Sequence, residues 1–515
     1  MFKKIQTIVG ADHVTDNRDL CEVATSDVFE RNEHAPALMV VSPGTTEETS
    51  AVLQILFEKR IPVLGRGAGL SYTASFAGEH PAVVVDTGRL NAINVNAEDR
   101  YAVVGAGASW ADVRSALQSF NMKSAQPSPI SGAFATVGGL ASQGIPAGLE
   151  GILGTTVVLS DGSVVRTGAS ARFYRFTGPD LTGLFLGDCG AFGIKTEIVL
   201  RIVPEQPTLF ASFGYDDVNH LLENLIVAIR EGVVSRAFAV DKVRSTNATK
   251  VGLSEAIGTA TEMVRRSASL QESAKTAAML LRQAIAPPES KPWSLHLTIE
   301  SPTTAGAQSQ LRRVCDICQT LGKRGDDMFP RALHAKPYSV RGFVGPEGER
   351  WVPVHGIFSL SRASSAMNDL QEFIASRAVP MHEHGVTASW LLSSAGPYVL
   401  IEPMLYWRDQ LDPLHMRYLS PRNQKRFGNF KPNLAARSFV GRIREGLRDV
   451  MDRHEASHSQ IGRFYRLEAS EQRDSLLWRL KMAVDPKNQI NPGVLGLSIP
   501  APDPLESPTT TRGRS

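Results

Sequence analysis

"IPVLGRGAGLSYTASF", Ile61–Phe76, opens as a short apolar strand and runs into a loop that holds Gly65, Gly67 and Gly69 around a single arginine, Arg66, with Ser71 just behind. Glycine permits positive φ angles and lets a ligand come close to the main chain. Several backbone N–H groups in succession form a nest for an anion, most often a phosphate. A tight turn draws on the same residues, so the loop has to be read with its neighbours.

Those neighbours alternate strand and helix. Upstream, "APALMVVSP" reads as a short buried strand. In "GTTEETSAVLQILFEKR", Thr45 and Glu48 stand in capping-box spacing, and Val52, Leu53, Ile55 and Leu56 fall on one helical face. Downstream, "PAVVVDTGRL" is a strand, and "RYAVVGAGASWADVRSAL" passes from strand through Gly105 and Gly107 into a helix that Ser109 can cap. "QPSPISGAFATVGGLASQG" is a second loop dense in glycine, serine and proline. "GTTVVLSDGSVVRTG" reads as a hairpin turning at Asp161-Gly162. "DLTGLFLGDCGAFGIKTEIVLRIVP" is a third glycine-bearing segment that ends in a strand. Three such loops in one α+β unit suit one long ligand gripped by backbone along its length.

Composition bounds the rest. The 515 residues suggest two to four domains at about 100–200 residues each. The 42% hydrophobic and 21% charged fractions are those of an ordinary globular protein. A net charge of +3, without a basic run interleaved with aromatics, argues against nucleic acid as a partner. Four cysteines make no disulfide framework, which points to a reducing, cytoplasmic setting. "MFKKIQTIVGADHV" lacks the apolar core of a secretory signal, and no stretch approaches roughly 18 uninterrupted apolar residues, so no transmembrane segment is expected. The tail, residues 498–515, is proline- and Ser/Thr-rich and is expected to be disordered.

In this order the motifs resemble the FAD-binding domain of the vanillyl-alcohol oxidase and p-cresol methylhydroxylase superfamily, which includes the glycolate and D-lactate dehydrogenase flavoproteins. "GRGAGLSY" looks like its pyrophosphate loop, "VVVDTGRLNAI" and "VVGAGASWADV" like its next two strands, and "SGAFATVGGLASQG" like the loop beside the flavin ring. "DLTGLFLGDCGAFGIKTEIVLRI" resembles the closing segment, and "LKMAVDPKNQINPGVLGL" the terminal Asp-Pro and Asn-Pro-Gly signature. The resemblance implies an α+β fold: a two-subdomain FAD-binding domain over 1–205, an α/β substrate or cap domain with an antiparallel sheet over 206–450, and a return to the FAD domain over 451–497. FAD is the implied cofactor. The resemblance assigns Gly67, Ala68, Gly69, Leu70 and Ser71 to phosphate, while Arg66 either pairs with phosphate or braces the loop. Ser131, Thr136, Gly138 and Gly139 would line the flavin and ribityl chain. Gly187, Gly190, Gly193 and Ile194 would hold the adenosine end or nearby pyrophosphate, and Asn491 joins the cofactor set from the terminal signature. Cys189, where the family often has glutamate, is read as a packing residue.

Chemistry in the second half is less sharply written. "CDIC" gives Cys315 and Cys318 a C-x-x-C spacing in a helical pattern, with no second Cys/His pair to complete a metal site. "MHEHG" offers His382, Glu383 and His384, but the Gly-Asp-Gly-Asn-x-His segment of many hydroxyacid-dehydrogenase relatives is missing, so no metal is expected. His355, at a strand end in "WVPVHGIF", is either a catalytic imidazole or a core histidine. "GRFYRLEAS" places Tyr465 and Arg466 in the order in which the phenol-oxidising branch clamps a phenolate, and Arg463 is a candidate for a substrate carboxylate. Glu402 and Tyr406 in "IEPMLYW" are further pocket candidates. The resemblance leaves covalent flavin attachment open and places no linking residue, with Tyr338 and His355 in the stretch where such a link would fall. The resemblance thus implies an FAD-dependent oxidoreductase taking hydride from a small alcohol or 2-hydroxy acid, aromatic donors included, with oxygen, a quinone or a cytochrome as electron acceptor and a homo-oligomeric state. The alternatives are a 4-alkylphenol or aromatic-alcohol oxidoreductase using Tyr465 and Arg466, and a flavin-binding electron-transfer subunit with no substrate of its own.

Overall fold

The structure, a computed structural model, describes residues 1–29, 35–76, 78, 81–145, 148–244, 291–338, 344–467 and 471–497. The tail expected to be disordered lies outside these residues.

Three sheets follow one another along the chain. The first holds β1 (Val14–Thr15), β2 (Met39–Val41), β3 (Val63–Arg66) and β4 (Val83–Asp86) in the order β1-β2-β4-β3, with β2, β4 and β3 parallel. Val83, Val84 and Val85 are all fully buried, as a central parallel strand covered on both faces requires. The helix Thr46–Glu58 covers one face with Val52, Leu53 and Leu56, while Ile55 sits at the margin. Thr45 caps it by accepting the Glu48 N–H at 3.0 Å.

The second sheet is antiparallel. It comprises β5 (Ile93–Asn96), β6 (Tyr101–Gly105), β7 (Met122–Ser124), β8 (Ile152–Val158), β9 (Val164–Arg166) and β10 (Ile194–Pro204), ordered β5-β6-β10-β8-β9 with β7 also on β10. The β8–β9 hairpin turns at Asp161-Gly162, where Gly162 takes φ 88° and the Asp161 carboxylate accepts the Ser163 N–H at 2.8 Å. Ser109 caps the helix Trp110–Gln118, as its sequence predicts.

The third sheet, eight-stranded and antiparallel, holds β11 (Thr208–Tyr215), β12 (Arg236–Asp241), β13 (Trp293–Glu300), β14 (Lys323–Arg324), β15 (Arg350–Pro353), β16 (Gly356–Phe358), β17 (Val386–Ala395) and β18 (Tyr398–Trp407). Its order is β14-β11-β13-β12-β17-β18-β15, with β16 also on β18. Side chains alternate across a strand with a period of two. Leu295, Leu297, Ala239, Leu392, Ile401 and Leu405 therefore enter the largest apolar core, together with Leu221, Leu225, Leu370 and Leu447 from the backing helices. The opposite face, carrying Phe238, Val240, Leu391, Leu400 and Glu402, is left to line a cavity.

The end of the chain returns to the first sheet. Ile490 runs parallel beside Val63, with Val63 N–H donating to the Gln489 carbonyl and Asn491 N–H to that of Val63, both at 2.7 Å. Lys481, fully buried, ties this turn to Asp485 at 2.7 Å and to the Ile490 carbonyl at 2.7 Å. The C-x-x-C pair lies on the helix Thr304–Cys318, with Cys318 buried. His382 and Glu383 are exposed, and the His384 ring stacks on Phe439 at 4.5 Å. Among the described residues no group of three or more His, Cys, Asp or Glu side chains is placed to hold a metal ion, and no helix is long and apolar enough to cross a membrane.

Candidate functional site

A cavity of about 1350 Å³ runs from the loop after β3 to the free face of the eight-stranded sheet. One end is backbone. Gly69 has φ 74°, and a Cβ there would strike the Arg66 guanidinium. A Cβ at Gly67 would strike the Thr136 hydroxyl, so the chain passes close to the N-terminus of the helix Val137–Gln143, where Thr136 Oγ1 accepts the Gly139 N–H at 3.1 Å. At Gly138 a Cβ would lie 2.8 Å from the Ala106 carbonyl oxygen, which joins this helix to the loop after β6.

Arg66 serves two ends. Its Nη1 donates to the carbonyls of Ala24 and Ser26, the latter at 3.0 Å, and its charge lies 4.7 Å from the Phe76 ring centroid. Its Nη2, also buried, has no partner among the described residues although the residue lines the cavity. Burial lowers the Arg66 pKa to about 10, still far enough above neutrality to keep the cation. An unpaired guanidinium N–H under a glycine nest leaves a donor for an anion, since an unsatisfied buried donor is otherwise costly.

The third glycine segment closes the cradle. The Asp188 carboxylate accepts from the Gly190 and Phe192 N–H groups at 3.0 and 3.2 Å and pairs with buried Lys195 at 2.7 Å. Cys189 lines the cavity, and its Sγ accepts the Gly462 N–H at 3.3 Å; burial pushes its thiol up to about 12, so it stays protonated. Every cofactor residue assigned from the sequence lines the cavity except Gly187 and Asn491. Gly187 instead donates its N–H to the Ala141 carbonyl at 2.8 Å, and Asn491 Nδ2 bridges the carbonyls of Ser75 and Cys189 at 2.5 and 2.8 Å. Both fasten the walls.

The other end is polar at one spot. Glu402 on β18 faces the cavity beside Tyr72, which directly follows the phosphate-type loop. Four residues along the same strand, the Tyr406 hydroxyl accepts from Arg244 Nη1 at 2.7 Å. Desolvation pushes Glu402 up to about 7, with nearby Arg244 pulling the other way. Tyr72 hydrogen-bonds Gln460, and burial with the neighbouring Glu402 charge raises its phenol well above the ordinary value. Tyr72, Arg244 and Gln460 were missed in the sequence. Tyr72 alone carried a signal, its place right after Ser71.

Of the residues expected to carry catalysis, Tyr465 stands behind the cavity wall within electrostatic reach of Tyr72 and Glu402. Tyr465 is buried, its hydroxyl accepting the His355 backbone N–H at 2.8 Å and lying 3.2 Å from His355 Nδ1. His458 stacks on it at 4.3 Å, and burial holds His355 down to about 3, neutral. Neither Tyr465 nor His355 lines the cavity. Arg466 points to solvent, its side chain 68% exposed and 3.8 Å from Asp449. The Tyr465–Arg466 clamp is therefore not formed. Arg463 likewise binds the backbone carbonyls of Ala74, at 2.7 Å, and Pro492. Of the two candidate flavin-linking residues only Tyr338 lines the cavity, its hydroxyl 3.0 Å from Ser128.

A backbone cradle with a spare cation, opening on a cavity that also holds a carboxylate and phenols, fits a dinucleotide such as FAD. Residues 37–168 match the family model described as FAD binding domain. The chain is 31% identical over 179 residues to the glycolate oxidase subunit GlcD of Bacillus subtilis, covering 33% of this chain and 37% of that protein. It is 28% identical over 196 residues to a D-lactate dehydrogenase of Archaeoglobus fulgidus, covering 35% and 44%. It thus spans less than half the length of either relative. Among solved structures it is similar to p-cresol methylhydroxylase with substrate bound (TM-score 0.68, 18% identity, 96% of both chains). It is also similar to alkyldihydroxyacetonephosphate synthase (TM-score 0.65, 15% identity, 95% and 85%). Residues 37–168 thus carry an FAD binding domain, which makes FAD the cofactor, and the whole chain shares its fold with the solved structures.

Proposed function

We propose that the protein is an FAD-dependent oxidoreductase that takes hydride from the carbinol carbon of an alcohol or 2-hydroxy acid. The supporting observation is Glu402, a carboxylate raised to about 7, facing the same cavity as the glycine cradle. FAD, when bound, supplies the acceptor for the donor's C–H electron pair. Glu402 takes the hydroxyl proton, and a pKa near the working pH suits it to accept and then release that proton. Arg244 fixes the Tyr406 hydroxyl, and Gln460 fixes that of Tyr72, so two phenols stand ready to orient the donor oxygen. The donors of the relatives' named activities, glycolate and D-lactate, support a CH–OH substrate. Reoxidation falls to oxygen, a quinone or a cytochrome. The exposed position of Arg466 argues against the phenolate-clamp alternative.

The test is anaerobic mixing of the FAD-loaded protein with a panel of hydroxy acids, alcohols and alkylphenols, following flavin absorbance near its visible maximum. Bleaching by a CH–OH donor supports the reading. Bleaching by none, with flavin fully bound, would favour an electron-transfer subunit instead.

A further inference from the structure

Glu402 stands at the edge of an apolar wall. In the sheet register Glu402 pairs with Leu391 on β17, and Leu391 with Val240 on β12. The next row on the same face pairs Leu400 with Ser393 and Ser393 with Phe238. Opposite stand Phe329 and Leu333, on the helix Met328–Ala335, with the Phe329 ring 5.6 Å from that of Phe238. His296 behind Phe238, at 5.1 Å, is held neutral, its pKa lowered to about 3 by burial, so it brings no charge to this wall. Strands lie about 4.8 Å apart, so two strand steps give roughly 10 Å of hydrocarbon surface running away from the carboxylate.

A two- or three-carbon hydroxy acid reacting beside Glu402 would leave that surface wet. Resting on the oxidoreductase reading above, we infer that the donor is a bulky one: an alcohol or 2-hydroxy acid whose apolar skeleton lies across Leu391, Val240 and Phe238 while its carbinol carbon sits by Glu402. The oxidation itself is unchanged, with the C–H electron pair going to FAD and the O–H proton to Glu402.

Two measurements on the FAD-loaded protein test this. In the first, the second-order rate of anaerobic flavin reduction is compared along the 2-hydroxy acids from lactate to 2-hydroxyoctanoate. Each methylene buried against the wall should raise it by up to about fourfold. In Leu391→Asn the ratio of the octanoate to the lactate rate should collapse, a readout in which any general loss of activity cancels. In the second, flavin absorbance is titrated with redox-inert carboxylates, and octanoate should perturb the spectrum at concentrations at least tenfold below acetate. Equal rates along the series, or lactate fastest, would overturn the inference and leave the oxidoreductase reading standing. Tight octanoate binding with no donor able to bleach the flavin would uphold the apolar chamber and sink the oxidoreductase reading. Equal binding of acetate and octanoate would sink the chamber whatever the donors do.

Discussion

Replacing Glu402 by glutamine removes a charge that folding itself resists, so the substitution should act on stability and on rate with opposite signs. In the folded protein the carboxyl titrates at about 7 against the ordinary 4.5, because burial disfavours its anion. Between those two pH values the unfolded chain has already released the proton and the folded chain has not, so stability falls as pH rises through this window. At about 1.36 kcal/mol per pKa unit the full cost comes to roughly 3 kcal/mol, reached near pH 7 and constant above it. Glu402→Gln keeps the shape and carries no charge at any pH. Thermal unfolding of the FAD-loaded variant should match the parent near pH 4.5 and exceed it at pH 8. Its flavin reduction should fall by about 10²–10⁴-fold, the usual range for a lost proton acceptor. The parent's reduction rate should rise with pH through about 7, since only the ionised carboxylate accepts a proton, and the variant should be flat. A variant less stable than the parent at pH 8, or one that keeps both the rate and its pH dependence, would refute the reasoning.

Other outcomes follow from the same geometry. Gly69→Val should yield a colourless protein, because its Cβ meets the Arg66 guanidinium at a residue with φ 74°; full flavin absorbance in the purified variant would count against the cradle. Asp188→Asn should strand the buried Lys195 charge and lower stability by about 3–5 kcal/mol, seen in denaturant unfolding together with weaker FAD retention. Arg466→Ala should change reduction by anionic and neutral donors by less than about twofold, because an ion pair this exposed contributes little; selective loss with anionic donors in rapid mixing would restore the clamp.

The cradle was readable from sequence because its demands are local. Positive φ at Gly69 and Gly190, and close approach at Gly67 and Gly138, can be met by one residue type only, so composition betrays geometry. The antiparallel sheet over the cavity was readable in outline, since strands such as "WSLHLTIES" announce themselves by alternation. Which polar side chains meet across it was not. Glu402 and Tyr406 share a strand face and were noticed together, but Arg244 joins them from β12's end and Gln460 from more than fifty residues beyond, contacts set only by tertiary register. Tyr465 and Arg466 part company for a related reason. In an irregular stretch adjacent side chains diverge, and here the phenol turned inward to His355 while the guanidinium turned out.

The pairing of Ile490 with Val63 has a consequence for how the protein comes to hold its flavin. The strand that launches the phosphate loop is the open edge of its sheet until Gln489 and Asn491 engage it, and those residues follow it by more than four hundred positions. Contacts so distant in sequence form late and slowly. On the ribosome, where domains fold as they emerge, the first sheet must wait with one flank bare until residues 489–491 have been made. The strand that launches the phosphate loop therefore gains its second neighbour only after residues 489–491 have reached it.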